Sequence, residues 1–177
     1  LASDCLLFGG LISTYLIYKN RPGTIPGLAG SPVKISSLFN IPFTSMTSFI
    51  LLMSSLTMVL AVSAAQARDI KKAKTWLMVT ALLGATFVGG QVFEFTEFYR
   101  NGMSLRTNVS SSIFYVATGL HGLHVTVGII WLLSLWGMAM QGKFSQKDSE
   151  AVEVSGLYWH FVDVVWIVIF AVVYLIP

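Results

Sequence analysis

Charge is scarce in this chain. Only 11% of its 177 residues are Asp, Glu, Lys or Arg, against roughly 25% in a soluble domain. Such a chain cannot clothe a water-facing surface, which excludes an ordinary soluble enzyme. Cysteine is nearly absent: Cys5 stands alone, so no internal disulfide forms and no oxidising compartment is implied. There is no phosphate loop, no zinc-type cysteine spacing and no Ser/His/Asp nucleophile arrangement. The net charge of +3 is a loop bias and not a nucleic-acid footprint, since the Lys and Arg residues lie outside the apolar runs. What remains is 55% hydrophobic, with a mean hydropathy of +0.74. These values describe an integral membrane protein, and one bundle suffices for its length.

Five apolar runs organise a single transmembrane unit over residues 1–177: 1–18, 43–66, 75–98, 109–140 and 152–176. Each meets or approaches the roughly 20 residues that carry a helix across the hydrocarbon. The alternating segments of about ten residues that build a membrane β-barrel do not occur. The expected fold class is therefore all-α, a polytopic bundle of five transmembrane helices. The run 1–18 lacks the basic start and small-residue cleavage site of a signal peptide, and the chain opens on Leu1, which leaves room for residues before it. Pro22, Pro26 and Pro32 mark Lys19–Ile41 as a loop. Pro42 suits a helical first turn, where its missing N–H costs nothing. Asn40 is a candidate cap for that helix, and Ser145 with Asp148 for the last one. The stretch Ala67–Lys74 reads as a short basic loop. Its density of Lys and Arg places it in the cytoplasm, with the N-terminus inside and the C-terminus outside.

Ionisable residues inside such runs cost on the order of 2.5–3.5 kcal/mol each on insertion scales. Those that persist face protein, water or a partner. Asp4, Glu94 with Glu97, His121 with His124, and His160 with Asp163 are the candidates. The pairs recur at i, i+3, which sets each pair on one helix face. Rise per residue gives the three histidines and Asp163 overlapping depths, so one polar cluster is within reach. A metal site, haem ligation, a proton- or lipid-handling network, and interhelical hydrogen bonds that fix packing all fit that pattern. Gly84, Gly89, Gly90, Gly119, Gly122 and Gly128 suggest close helix approach. Trp159 and Trp166, a heptad apart, read as packing residues.

Three segments resemble one family. Phe114-Tyr115-Val116-Ala117-Thr118-Gly119-Leu120-His121-Gly122-Leu123-His124-Val125 is similar to a helix of subunit III of the haem-copper oxidases. Tyr158-Trp159-His160-Phe161-Val162-Asp163-Val164-Val165-Trp166 resembles that family's last helix almost letter for letter, and Gln91-x-x-Glu94-x-x-Glu97 resembles a third element. Where the family usually carries a Ser-Glu pair, associated with carbodiimide reactivity, this chain has Ser3-Asp4, one methylene shorter.

The resemblance implies a short, five-helix bacterial form of cytochrome c oxidase subunit III in the plasma membrane. It implies no catalytic residue, haem or copper in this chain. The cofactors would sit in a partner catalytic subunit I and in subunit II, in a complex that reduces O2 and pumps protons. The expected role is to stabilise the catalytic subunit, hold phospholipid and support proton uptake, through a network of Asp4, Glu94, Glu97, His121, His124, His160 and Asp163. An accessory protein of nitric oxide reductase, with the same fold, is the alternative, and a stand-alone haem or metal protein a more distant one.

Overall fold

The computed structural model describes residues 2–18, 41–100, 109–141 and 146–175. Its helices are α1 (Ala2–Tyr18), α2 (Ile41–Gln66), α3 (Ile70–Arg100), α4 (Val109–Met140) and α5 (Gln146–Phe170), the last continued by one π-helical stretch, Ala171–Leu175. No strand occurs among the described residues. The segments 42–66, 70–100, 112–140 and 149–174 are long and apolar enough to cross a membrane, while α1 is apolar but shorter.

The helices close into a ring. α2 packs on α3 and α5, and α4 completes the circuit between α3 and α5. α1 lies outside this ring, against α4 and the edge of α5. Trp159, Trp166, Phe87, Phe98 and Phe114 fill the centre, each almost fully buried. Leu82, Phe93, Ile130, Leu157 and Val164 point outward and are exposed. An apolar exterior around an apolar core suits hydrocarbon and not water.

Small residues set the spacing. The indole of Trp159 lies between Gly84 of α3 and Gly128 of α4. A Cβ at Gly84 would stand 2.6 Å from its Cη2, and one at Gly128 would stand 2.9 Å from its Cζ3. Gly90 faces Thr47 and Gly122 faces Gln91 at similarly close range. Gly89 and Gly119, expected to serve the same purpose, have nothing within 4 Å, whereas Gly156, which the sequence did not single out, packs on Val62 and Met58.

Two helix starts move outward from the hydropathic limits by a turn or more. α3 begins at Ile70 and not at residue 75, and α5 begins at Gln146 and not at 152. The basic stretch after α2 is thus mostly helix. α2 ends in a Schellman turn: the Asp69 N–H donates to the Ala64 carbonyl at 3.0 Å, and the Arg68 N–H donates to the Ala65 carbonyl at 3.1 Å. Arg68 takes the left-handed position, at φ 58°, that glycine usually fills. Asp69 then caps α3, its Oδ1 accepting from the Lys72 backbone N–H at 3.2 Å. This bond and the Lys72 ammonium, 3.1 Å from Oδ2, hold the Asp69 carboxyl below its ordinary range. Pro42 occupies the second position of α2, as a first-turn proline should. Asn40 and Ser145 lie outside the described residues.

Candidate functional site

α2 and α5 run antiparallel and are joined by side-chain hydrogen bonds along most of their length. The Trp166 indole N–H donates to the Ser48 hydroxyl at 2.8 Å. One step along, the Trp159 indole N–H donates to the Ser54 hydroxyl at 3.0 Å. The Ser55 hydroxyl and His160 Nδ1 lie 2.6 Å apart. At the far end, Gln66 Nε2 donates to Glu153 Oε1 at 2.9 Å. Ser48 and Ser54 also donate to α2 carbonyls one turn back, at 2.6 and 2.5 Å. Each buried indole N–H is thereby satisfied, as burial demands.

α3 joins this seam from the other side. The Thr44 hydroxyl donates to Glu94 Oε1 at 2.5 Å, and the Tyr174 side chain also bonds that carboxyl. Thr57 and Thr80 share a hydrogen bond of 2.8 Å. Glu94 is 4% exposed, so its pairing decides whether this end of the bundle is tolerable at all. Glu97, one turn further on, is exposed.

His121 sits at the centre. Its ring stacks on Trp166, with centroids 4.9 Å apart, and meets Phe87 edge-on at 5.8 Å. Both of its ring nitrogens and both carboxyl oxygens of Asp163 are buried without a hydrogen-bond partner among the described residues.

The third histidine faces elsewhere. His124 Nδ1 lies 2.7 Å from the Leu120 carbonyl, and an imidazole approaching a carbonyl this closely does so as the donor. Nε2 then carries a second proton only when the ring is cationic. That nitrogen lies 3.7 Å from Asp4 Oδ1 of α1, and Phe8 of α1 packs on the same ring at 5.5 Å. The Tyr158 hydroxyl donates to the His124 carbonyl at 3.0 Å. The candidate residues are thus distributed over separate contacts: His160 on α2, Glu94 on α2 and the π-helical stretch after α5, His124 on α1, and His121 in an aromatic centre. Among the described residues, no three His, Cys, Asp or Glu side chains are grouped to hold a metal ion.

The profile of the family "Cytochrome c oxidase subunit III" matches residues 1–176. The chain belongs to this family. It is 38% identical to cytochrome c oxidase subunit 3 of Bacillus sp. strain PS3 over 175 residues, which cover 99% of this chain and 81% of that one. It is 36% identical to quinol oxidase subunit 3 of Bacillus subtilis strain 168, covering 99% and 82%. It is 38% identical to cytochrome c oxidase subunit 3 of Synechocystis, covering 99% and 72%. With its apolar helices, this makes the chain a multi-pass subunit of a terminal oxidase in the bacterial plasma membrane.

In this subunit III, the residues that the sequence did not single out are the hydroxyl partners Thr44, Ser48, Ser54 and Ser55 of α2. A signal existed. Thr44, Ser48, Leu51, Ser54, Ser55 and Met58 recur at three- and four-residue spacing, the pattern of one helix face. Hydroxyls inside an apolar run carry no charge to draw attention, yet here they pair with Trp159, His160 and Trp166 of α5.

Proposed function

We propose that this chain is a non-catalytic subunit III. It would pack beside the catalytic subunit I and subunit II of a proton-pumping haem-copper oxidase, stabilise that assembly during turnover, hold phospholipid and support proton uptake. Haem and copper would reside in the partner subunits. The observation that carries this reading is the match to the family over almost the whole chain, including both motif helices. Asp4 beside His124, and the buried His121 and Asp163, supply groups that can take or release a proton. The short basic turn at Arg68–Lys74 supports a cytoplasmic placement of that end. Relatives named for cytochrome c and for quinol match almost equally, which fits a donor choice made in other subunits.

The test is gentle purification through a tag on this chain, followed by a visible spectrum and subunit identification. The expected result is an a-, b- or o-type haem spectrum arriving with a large catalytic subunit and a copper-binding partner. A colourless protein, or one arriving with nitric oxide reductase, would overturn the assignment. In the same complex, His160→Leu removes the contact with the Ser55 hydroxyl; a hydrogen bond between membrane helices contributes about 0.6–1.7 kcal/mol. Assembly yield or activity over many turnovers should fall. Unchanged composition and steady activity would sink the stabilising role of that seam.

A further inference from the structure

Between the start of α3 and the end of α4 lies an open-sided groove of about 440 Å³, lined by Lys71, Lys74, Thr75, Met78, Val79, Trp136 and Met140. Its polar and apolar groups are sorted along the helix axis. Lys71 and Lys74 share the face at the first turns of α3, where the basic turn ends. Met78 and Val79 continue the same wall toward the middle of the span, and Trp136 and Met140 form the opposite wall on α4.

The lysines are not equivalent. The Lys72 ammonium is occupied by Asp69 at 3.1 Å. Those of Lys71 and Lys74 have no ion-pair partner among the described residues, although they line the groove. Two cations at a helix N-terminus oppose the helix dipole, so an anion placed between them relieves two unfavourable interactions. The indole beside them belongs to the residue type that sits at headgroup depth, and basic pockets between helices at a membrane face suit anionic headgroups.

From this arrangement we propose that the groove binds one anionic phospholipid. Its phosphate would lie between Lys71 and Lys74, its glycerol region beside Thr75 and Trp136, and an acyl chain along Met78 and Val79. The proposal deepens the lipid-holding part of the function above and rests on it. Its failure would leave the copurification test untouched, so the two can fail separately.

The experiment uses the full chain reconstituted in phosphatidylcholine vesicles, with brominated phosphatidylglycerol as the quencher and brominated phosphatidylcholine as its control. Tryptophan fluorescence should be quenched at a lower mole fraction of the anionic lipid. Lys71→Gln and Lys74→Gln should each weaken that preference about fivefold, and the double variant should nearly abolish it. Lys72→Gln should leave it in place, and Trp136→Phe should remove the differential signal. Equal quenching by both lipids would overturn the site, as would a preference that survives the double variant or Trp136→Phe. Relief of quenching by excess inorganic phosphate would assign the groove to a free anion and equally overturn the lipid. If the double variant loses its helical circular dichroism, the single variants decide: an unchanged preference in both would refute the site.

Discussion

The two faces of α4 and α5 hold their neighbours in different ways. On the ring side, α5 meets α2 through buried hydroxyl-to-indole bonds of 2.8 and 3.0 Å and a half-buried hydroxyl–imidazole contact of 2.6 Å. On the outer side, α4 meets α1 through the Asp4–His124 contact at 3.7 Å and through Phe8 and Tyr15, which are buried while Leu6 and Ile17 lie open. The buried rungs of the first seam pair hydroxyls with indoles, which carry no charge and need no counterion. The second uses a carboxyl and an imidazole at a partly open rim, with side-chain exposures of 31% and 19%. Uncharged pairs inside apolar surroundings are insensitive to salt, whereas a carboxyl–imidazole contact at an open rim is screened by it whenever both groups are charged. The ring is thus the fixed body of the subunit and α1 its adjustable attachment.

The sharpest way to break the fixed body is steric. Gly84→Ala would place a methyl 2.6 Å from Trp159 Cη2 and 3.3 Å from Ile129 Cγ1. Overpacking of this kind costs about 1–3 kcal/mol. Denaturation of the purified chain in mixed detergent should show that loss. Gly89→Ala, with nothing within 4 Å, should be neutral or slightly stabilising, because alanine is the better helix former.

A smaller effect tests the comparison itself. Ser54→Ala strands the Trp159 N–H and should cost about 0.6–1.7 kcal/mol, the range for hydrogen bonds between membrane helices. Asp4→Asn should change the stability of the ring by less than about 0.5 kcal/mol, while removing any salt dependence of the α1 attachment. Equal losses in the two variants would erase the distinction drawn between the faces.

The remaining expected change is a gain. Arg68 holds a left-handed conformation that costs a side-chain-bearing residue about 1 kcal/mol. Arg68→Gly should therefore stabilise the α2–α3 turn by about 0.5–1 kcal/mol in the same denaturation assay. No gain would mean that the arginine side chain offsets its backbone cost.

The helices were legible because apolar length dominates in a membrane, and one scale of about 20 residues decides most of the architecture. Their ends were less so. Hydropathy stops at the first lysine, but Lys71, Lys72 and Lys74 extend α3 without leaving water, since long side chains reach out from an apolar surface. The charged candidates were visible singly. Their grouping was not, because overlapping depth leaves the rotation of each helix undetermined. His121 and His124 share a helix face by spacing, yet one ring stacks on Trp166 of α5 and the other faces Asp4 of α1. A separation of three residues is about 60° short of a full turn. At the crowded junction of α1, α4 and α5, that angle is enough to give two side chains different neighbours.

The seam between α2 and α5 has a mechanical meaning. Ser48 with Trp166 and Ser54 with Trp159 are rungs about a helical turn and a half apart, or roughly 9 Å. A shift of α5 by one residue along its axis would miss every rung together. The two helices therefore behave like a zipped rail, which either stays in register or disengages as a whole. A pull on the end of α5 is carried into α2, and through Thr57 and Thr80 into α3, before any single rung gives way. A partner resting against one of these helices would feel the stiffness of three.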